Sequence, residues 1–92
     1  MKNVAVIGSG MMGNGIAHTF AQYGYPVALI DISSAALDRA MQTISNNLER
    51  QVKKELIDQQ QKQETLARIT THTRLEEGVV KAGLIIEAAK QK

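Results

Sequence analysis

The sequence predicts an α/β fold built on a parallel sheet, and three observations carry that prediction. Residues 3–8 form a short apolar run that is continuous rather than alternating, the pattern of a strand buried on both faces, and 26–30 form a second short apolar run. Between the first two runs the apolar spacing turns helical, so a strand, a helix and a strand follow one another directly. Parallel strands require such a crossover, which is right-handed almost without exception. The segment after the second run then repeats its apolar residues at the spacing of one helix face.

Taken in order, residues 3–8 (Asn-Val-Ala-Val-Ile-Gly) form the first strand and end in glycine. Residues 11–23 form the first helix, with Ile16, Ala17, Phe20 and Ala21 as its apolar stripe and Gly24 as its stop. The second strand spans 26–30, with Pro26 at its start, where proline is tolerated. Ser33 or Ser34 caps a long second helix whose inner face is Leu37, Met41, Ile44, Leu48 and Val52. The polar stretch 58–64, with its three consecutive glutamines, reads as a surface loop leading into a short helical turn around Leu66. Ile69 to Thr73 has the β-branched content of a third strand. Thr73 and Glu76 have the spacing of a capping box, which starts a short helix through Gly78. Residues 84–88 are the fourth strand, and alternation of this kind defines an α/β sheet.

Composition removes several function classes. The chain has 92 residues, 11 Lys+Arg against 9 Asp+Glu, and a formal charge of +2 without any basic stripe. With only Phe20, Tyr23 and Tyr25 as aromatics, neither the electrostatic nor the stacking footprint of a nucleic-acid binder is present. The absence of cysteine excludes disulfides and thiolate metal sites. No stretch approaches the roughly 18–20 apolar residues of a membrane span. The expectation is a soluble, cytoplasmic chain with neither nucleic-acid nor membrane partners.

The informative segment is Gly8-Ser9-Gly10-Met11-Met12-Gly13. A Gly-x-Gly-x-x-Gly string alone is weak, but this one follows a buried strand, opens a helix and has an acid, Asp31, at the end of the next strand. Each glycine then has a mechanical reason. Gly8 makes the tight turn, Gly10 lets backbone approach a pyrophosphate, and Gly13 lets the helix pack on the strand. Free amides at the helix N-terminus and its partial positive charge receive the pyrophosphate. No lysine follows the last glycine, which argues against a phosphate-binding P-loop. Asp31 can accept hydrogen bonds from the adenosine ribose and repels a 2′-phosphate, so NAD is expected over NADP. The plain alternative for Asp31 is a surface acid or helix cap. Gly15 is expected to serve packing. The fold is thus expected to be Rossmann-type but partial: four strands in the order 3-2-1-4 with flanking helices.

The segments Val4–Ala17, Ala21–Val27 and Leu29–Ser33 resemble the start of a 3-hydroxyacyl-CoA dehydrogenase. The similarity continues through the long helix, Ala67–Thr70 and Leu84–Ala88, and so covers nearly the whole chain. It implies NAD-dependent interconversion of an L-3-hydroxyacyl-CoA and a 3-ketoacyl-CoA, a reaction of fatty-acid metabolism. It also implies cofactor contacts at Gly8, Ser9, Gly10, Met11, Met12, Gly13, Asp31 and Ala88. A lysine near the end of the long helix and a small polar residue two turns earlier approach coenzyme A in that family. Lys54 matches the former, and Asn47 stands where serine is usual; a solvated helix face is the plain alternative.

The chain also departs from the pattern. A glutamate that approaches the cofactor in the family falls here on Gln91. The catalytic histidine, its orienting glutamate and the helical substrate domain fall beyond residue 92. His18, beside the helical stripe, and His72, near the third strand, are not assigned as catalytic. Residues 1–92 are therefore expected to be the first part of a dinucleotide-binding domain, ending after its fourth strand and inactive alone. A free-standing NAD-binding module, another dehydrogenase's cofactor half and a flavin enzyme are the other readings. The outer edge of the fourth strand, with Leu84, Ile85 and Ile86, is expected to promote self-association or homo-oligomers, or to leave the isolated chain marginally stable.

Overall fold

A computed structural model describes residues 3–88. Within them run four strands, β1 (Asn3–Ile7), β2 (Val27–Ile30), β3 (Ile69–His72) and β4 (Ala82–Glu87), connected through four helices, two of them in succession between β2 and β3. The helices are α1 (Met11–Gln22), α2 (Ser34–Lys53), α3 (Gln59–Ala67) and α4 (Leu75–Val79). The sheet order is β3-β2-β1-β4 and every pairing is parallel, as the sequence predicts. Register aligns Ile7 with Ile30, Ile30 with His72, and Ile7 with Glu87, so the four carboxyl ends share one rim.

Strand alternation divides the sheet into two faces. Val4, Val6, Val27, Leu29 and Ile69 point to the face where α1 and α2 bring Ala17, Ala21, Leu37, Ala40, Ile44 and Leu48. Leu29, Ile44 and Leu48 are completely enclosed, and burial of each such side chain contributes about 1.5–3 kcal/mol. The small residues Ala17 and Ala21 let α1 lie close on the sheet. On the opposite face α4 rests with Gly78 against the Ile30 side chain.

The helix ends follow from local chemistry. α1 stops where Gly24 takes φ +101°, a conformation open to glycine at little cost. Arg68 then donates to the Ala21 carbonyl at 2.9 Å, and Phe20 and Tyr25 meet edge to face at 5.6 Å. Ser33 caps α2 by accepting from the Ala36 amide at 3.1 Å. Arg50 and Lys53 in the last turn complement its carbonyl end. Glu55, at φ 61°, makes the left-handed exit that glycine often supplies, so no glycine marks that end in the sequence.

Two expected segments are corrected. The glutamine-rich stretch is not a loop: it is α3, opened by a reciprocal capping box. Asp58 Oδ1 accepts from the Gln61 amide at 2.8 Å, and Gln61 Oε1 accepts from the Asp58 amide at 2.9 Å. Glutamine is a good helix former, and Lys62 anchors the helix to α2 by an ion pair with Glu49 at 2.8 Å. That lysine holds the Glu49 carboxyl below its ordinary range. The second correction concerns α4, whose N-cap is Arg74, with no side-chain cap bond. Thr73 therefore does not close a capping box with Glu76. Elsewhere strand and helix ends differ from expectation by one or two residues, where terminal hydrogen bonds rather than composition decide.

Among the described residues no helix is long and apolar enough to cross a membrane. Gln91, which stands where the family has a glutamate, lies outside the described residues.

Candidate functional site

The carboxyl rim gathers most of the residues singled out by the sequence. Gly8 leaves β1 at φ +100°, and its amide donates to the Ile30 carbonyl at 2.7 Å. The chain therefore turns while still tied to β2. Gly10 is the N-cap of α1 and provides no side-chain cap, and among the described residues no acceptor meets the amides of Met11, Met12 and Gly13. Three donors at a helix N-terminus thus stay available to an anion.

The space around the glycines separates their roles. A Cβ on Gly13 would fall 1.7 Å from the Gly8 carbonyl oxygen and 2.8 Å from its carbon. Only glycine lets α1 begin this close to the strand. A Cβ on Gly10 would meet nothing within 4 Å, so that position faces open space above the loop. Gly15 is exposed with nothing within 4 Å of a Cβ, which corrects the expectation that it serves packing. Ala88 donates its amide to the Ile7 carbonyl at 2.7 Å, and its Cβ borders Gly13. The loop is thus flanked on its β4 side by Ala88.

Asp31 stands at the end of β2, on the other side of the loop. Its Oδ2 accepts from the Ser9 amide at 3.0 Å and the Ser9 hydroxyl at 2.8 Å. Its Oδ1 accepts from the Ser33 amide at 3.0 Å. Partial burial pushes the Asp31 carboxyl up, but bonds from Ser33 and Ser9 and the Arg39 charge outweigh it. The net effect holds the group below its ordinary range, so it is an anion at neutral pH.

Asn47 and Lys54 are not brought to this cluster. They lie two turns apart on one face of α2, Asn47 half-buried and Lys54 exposed at the helix end. A helix of 20 residues carries Lys54 about 30 Å from the end that Asp31 abuts. His72 ends β3 on the same rim, where its carbonyl accepts from the Asp31 amide at 3.0 Å, but both histidine side chains are bonded elsewhere. His18 Nε2 lies 2.8 Å from Gln22 Oε1, and Gln22 donates to Gln51. His72 Nε2 lies 2.9 Å from the Thr70 hydroxyl, and its Nδ1 is 3.9 Å from Glu77. A cavity of about 340 Å³ beneath α4 is lined largely from strand starts, including Val4 and Val27, and includes none of the loop residues.

Sequence reasoning overlooked the Ser33 amide and Ile32. Ile32 is 94% exposed immediately after Asp31, an apolar side chain held out beside the loop. Its signal was the apolar residue that follows an acid at a strand end, where a polar turn residue is ordinary. Met11 and Met12 are also exposed at the start of α1, so the rim of the loop is apolar while its floor carries amides.

Residues 3–92 match the model of the family described as 3-hydroxyacyl-CoA dehydrogenase, NAD binding domain. The chain belongs to this family. A 3-hydroxybutyryl-CoA dehydrogenase of Bradyrhizobium diazoefficiens is 42% identical over 92 residues, which are all of this chain and 31% of the relative. The crystal structure of (S)-3-hydroxybutyryl-CoA dehydrogenase from Ralstonia eutropha superposes with a TM-score of 0.95 at 36% identity. That match covers 100% of this chain and 32% of the other. The corresponding enzyme of Escherichia coli gives 0.94 at 40% identity, over 99% of this chain and 19% of its own. The chain therefore spans about a third or less of these relatives. As an NAD-binding domain of the 3-hydroxyacyl-CoA dehydrogenase family it has the expected cofactor, and its parallel sheet is Rossmann-like.

The glycine loop fits that cofactor. It combines an open approach at Gly10, free amides at α1 and a carboxylate placed one strand away. NAD supplies hydride-transfer chemistry when bound.

Proposed function

We propose that this chain is the cofactor-holding part of an oxidoreductase that interconverts L-3-hydroxyacyl-CoA and 3-ketoacyl-CoA by hydride transfer. The observation that carries the reading is the packing of Gly13 on the Gly8 carbonyl, with ionised Asp31 beside the same turn. The α1 amides of Met11, Met12 and Gly13 receive the pyrophosphate, with Gly8, Ser9, Gly10 and Ala88 forming its cradle. Asp31 meets the adenosine ribose, and exposed Ile32 offers an apolar surface to the adenine. Acyl-CoA is the substrate of the complete protein, and Asn47 and Lys54 form a separate coenzyme A contact along α2. A lysine there serves as a cation for CoA phosphates.

Hydride transfer to or from a hydroxyl carbon needs a group that takes or gives the hydroxyl proton. The His18 side chain is bonded to Gln22, and that of His72 lies against Thr70 and Glu77, so no catalytic residue is assigned to this chain. Residues 1–92 are the first part of a dinucleotide-binding domain, and the residues that complete the chemistry belong to a further, helical part. Calorimetric titration with NAD, NADH and NADP tests the reading: NAD and NADH bind, and NADP binds more weakly. The chain alone is expected not to turn over acetoacetyl-CoA with NADH. Failure to bind either NAD form overturns the cofactor role, and measurable turnover overturns the assignment of catalysis elsewhere.

Among the described residues the outer edge of β4 pairs with no further strand. Leu84 and Ile85 are exposed on its two faces, whereas the opposite edge strand, β3, shows Thr70 and Thr71. An unpaired apolar strand is a template for a further strand. The 92-residue chain is expected to self-associate through this edge, visible as a concentration-dependent mass in light scattering. A monodisperse monomer at all concentrations overturns that expectation.

A further inference from the structure

The hydroxyl of Ser9 is buried in a loop that is otherwise glycine and methionine, yet it caps no helix. The N-cap of α1 is Gly10, without a side-chain bond, and Ser9 is only 4% exposed. Its hydroxyl donates at 2.8 Å to Asp31 Oδ2, across 22 residues of sequence. The Ser9 amide donates to the same oxygen at 3.0 Å.

A carboxylate has about four acceptor sites, two on each oxygen. Ser9 fills both on Oδ2, and the Ser33 amide takes one on Oδ1. One acceptor site is left, on Oδ1. We propose that Ser9 is a positioning residue for nucleotide selectivity: its hydroxyl locks the Asp31 carboxylate so that Oδ1 alone meets the ribose. This rests on Asp31 being the ribose acceptor. A carboxylate held by three donors cannot swing aside to admit a 2′-phosphate, so the lock sharpens the preference for NAD. Without the hydroxyl, Oδ2 keeps a single donor and the carboxylate gains freedom to turn. A ribose then finds a less ordered acceptor, and a 2′-phosphate meets a less rigid barrier.

The test is a double-mutant cycle on the full 92-residue chain, read by calorimetric titration with NADH and NADPH, with thermal unfolding as the folding control. Ser9→Ala is expected to weaken NADH binding by about tenfold, the scale of one hydrogen bond to a charged group. NADPH binding should change by less than about twofold, so the selectivity ratio falls with the NADH loss. Ser9→Cys, nearly the same shape with a weak donor, should shift the ratio in the same direction. In the Asp31→Ala background, Ser9→Ala should change NADH binding by less than about twofold, because the residue through which it acts is gone.

An equal loss in both backgrounds, or equal losses for NADH and NADPH, overturns the proposal and leaves Ser9 as a general structural residue. Unchanged NADH affinity in Ser9→Ala, with Asp31→Ala weakened, overturns only the role of Ser9. Unchanged affinity in Asp31→Ala overturns the ribose reading and the proposal with it.

Discussion

Gly13→Ala is expected to remove most of the stability of this chain. The added methyl would sit 1.7 Å from the Gly8 carbonyl oxygen, and both nearby atoms are backbone, so no rotamer change relieves the clash. Either α1 moves off the sheet, opening the contact between Ala17 or Ala21 and the core, or the turn at Gly8 breaks its bond to Ile30. Overpacking of side chains costs about 1–3 kcal/mol, and a backbone clash belongs at or above the top of that range. For a domain of this size each kcal/mol lowers the melting temperature by roughly 4–8 °C. A loss of roughly 15 °C or more in thermal unfolding is therefore expected, together with loss of NADH binding. A melting temperature within a few degrees of the parent chain would refute the close approach of α1.

Gly10→Ala supplies the contrast. Its backbone φ of −67° suits any residue, and a Cβ there meets nothing within 4 Å. Stability should stay nearly unchanged while NADH affinity falls, since the methyl occupies the side from which a pyrophosphate approaches. The two glycines thus separate the fold from the ligand.

Asp31→Ala has the second large effect. If Asp31 is the ribose acceptor as proposed, removing the carboxylate costs about 1.5–3 kcal/mol of binding, or roughly tenfold to a hundredfold in NADH affinity. NADPH should lose little, because the same change removes the repulsion of its 2′-phosphate, so selectivity collapses. The variant also leaves the buried Ser9 amide and hydroxyl without their acceptor, at a cost of about 1–3 kcal/mol in stability.

The pH dependence has a definite sign. The folded-state pKa of Asp31 is lowered, so its stabilisation is complete above the ordinary carboxylate value near 4. It is lost as pH falls through the lower folded value. The parent chain should lose more stability than Asp31→Ala between about pH 4 and more acidic conditions, as measured by unfolding at each pH. Identical acid profiles would show that Asp31 does not contribute in this way.

Much of the site was legible because its requirements are local. The strand before Gly8, the helix after Gly10 and the acid ending the second strand each follow from neighbours in sequence. The strand order was legible too, because the glycine loop with its acid marks a dinucleotide fold, whose first four strands run 3-2-1-4. The glutamine stretch has the polarity of a loop, but its Asp58–Gln61 capping pair is the stronger signal and makes it a helix. Thr73 misled in the opposite sense: the spacing of a capping box was present, but the chain enters α4 from Arg74. Gly15 belongs to the same motif region as Gly13, yet one faces solvent and the other a carbonyl.

The sequence by itself determined the alternation of strands and helices, the glycine turn and the acid that follows it. Periodicity, capping chemistry and backbone freedom act over a few residues, and that is the range a sequence displays directly. Only the tertiary structure decided that Gly13 touches the Gly8 carbonyl, that Asn47 and Lys54 lie far from the loop, and that Ser9 serves Asp31. Such relations reach across the chain, the Ser9–Asp31 bond spanning 22 residues of sequence. They depend on which faces meet when β1 and β2 pair, and that pairing is set by burial of the whole apolar face rather than by any single residue.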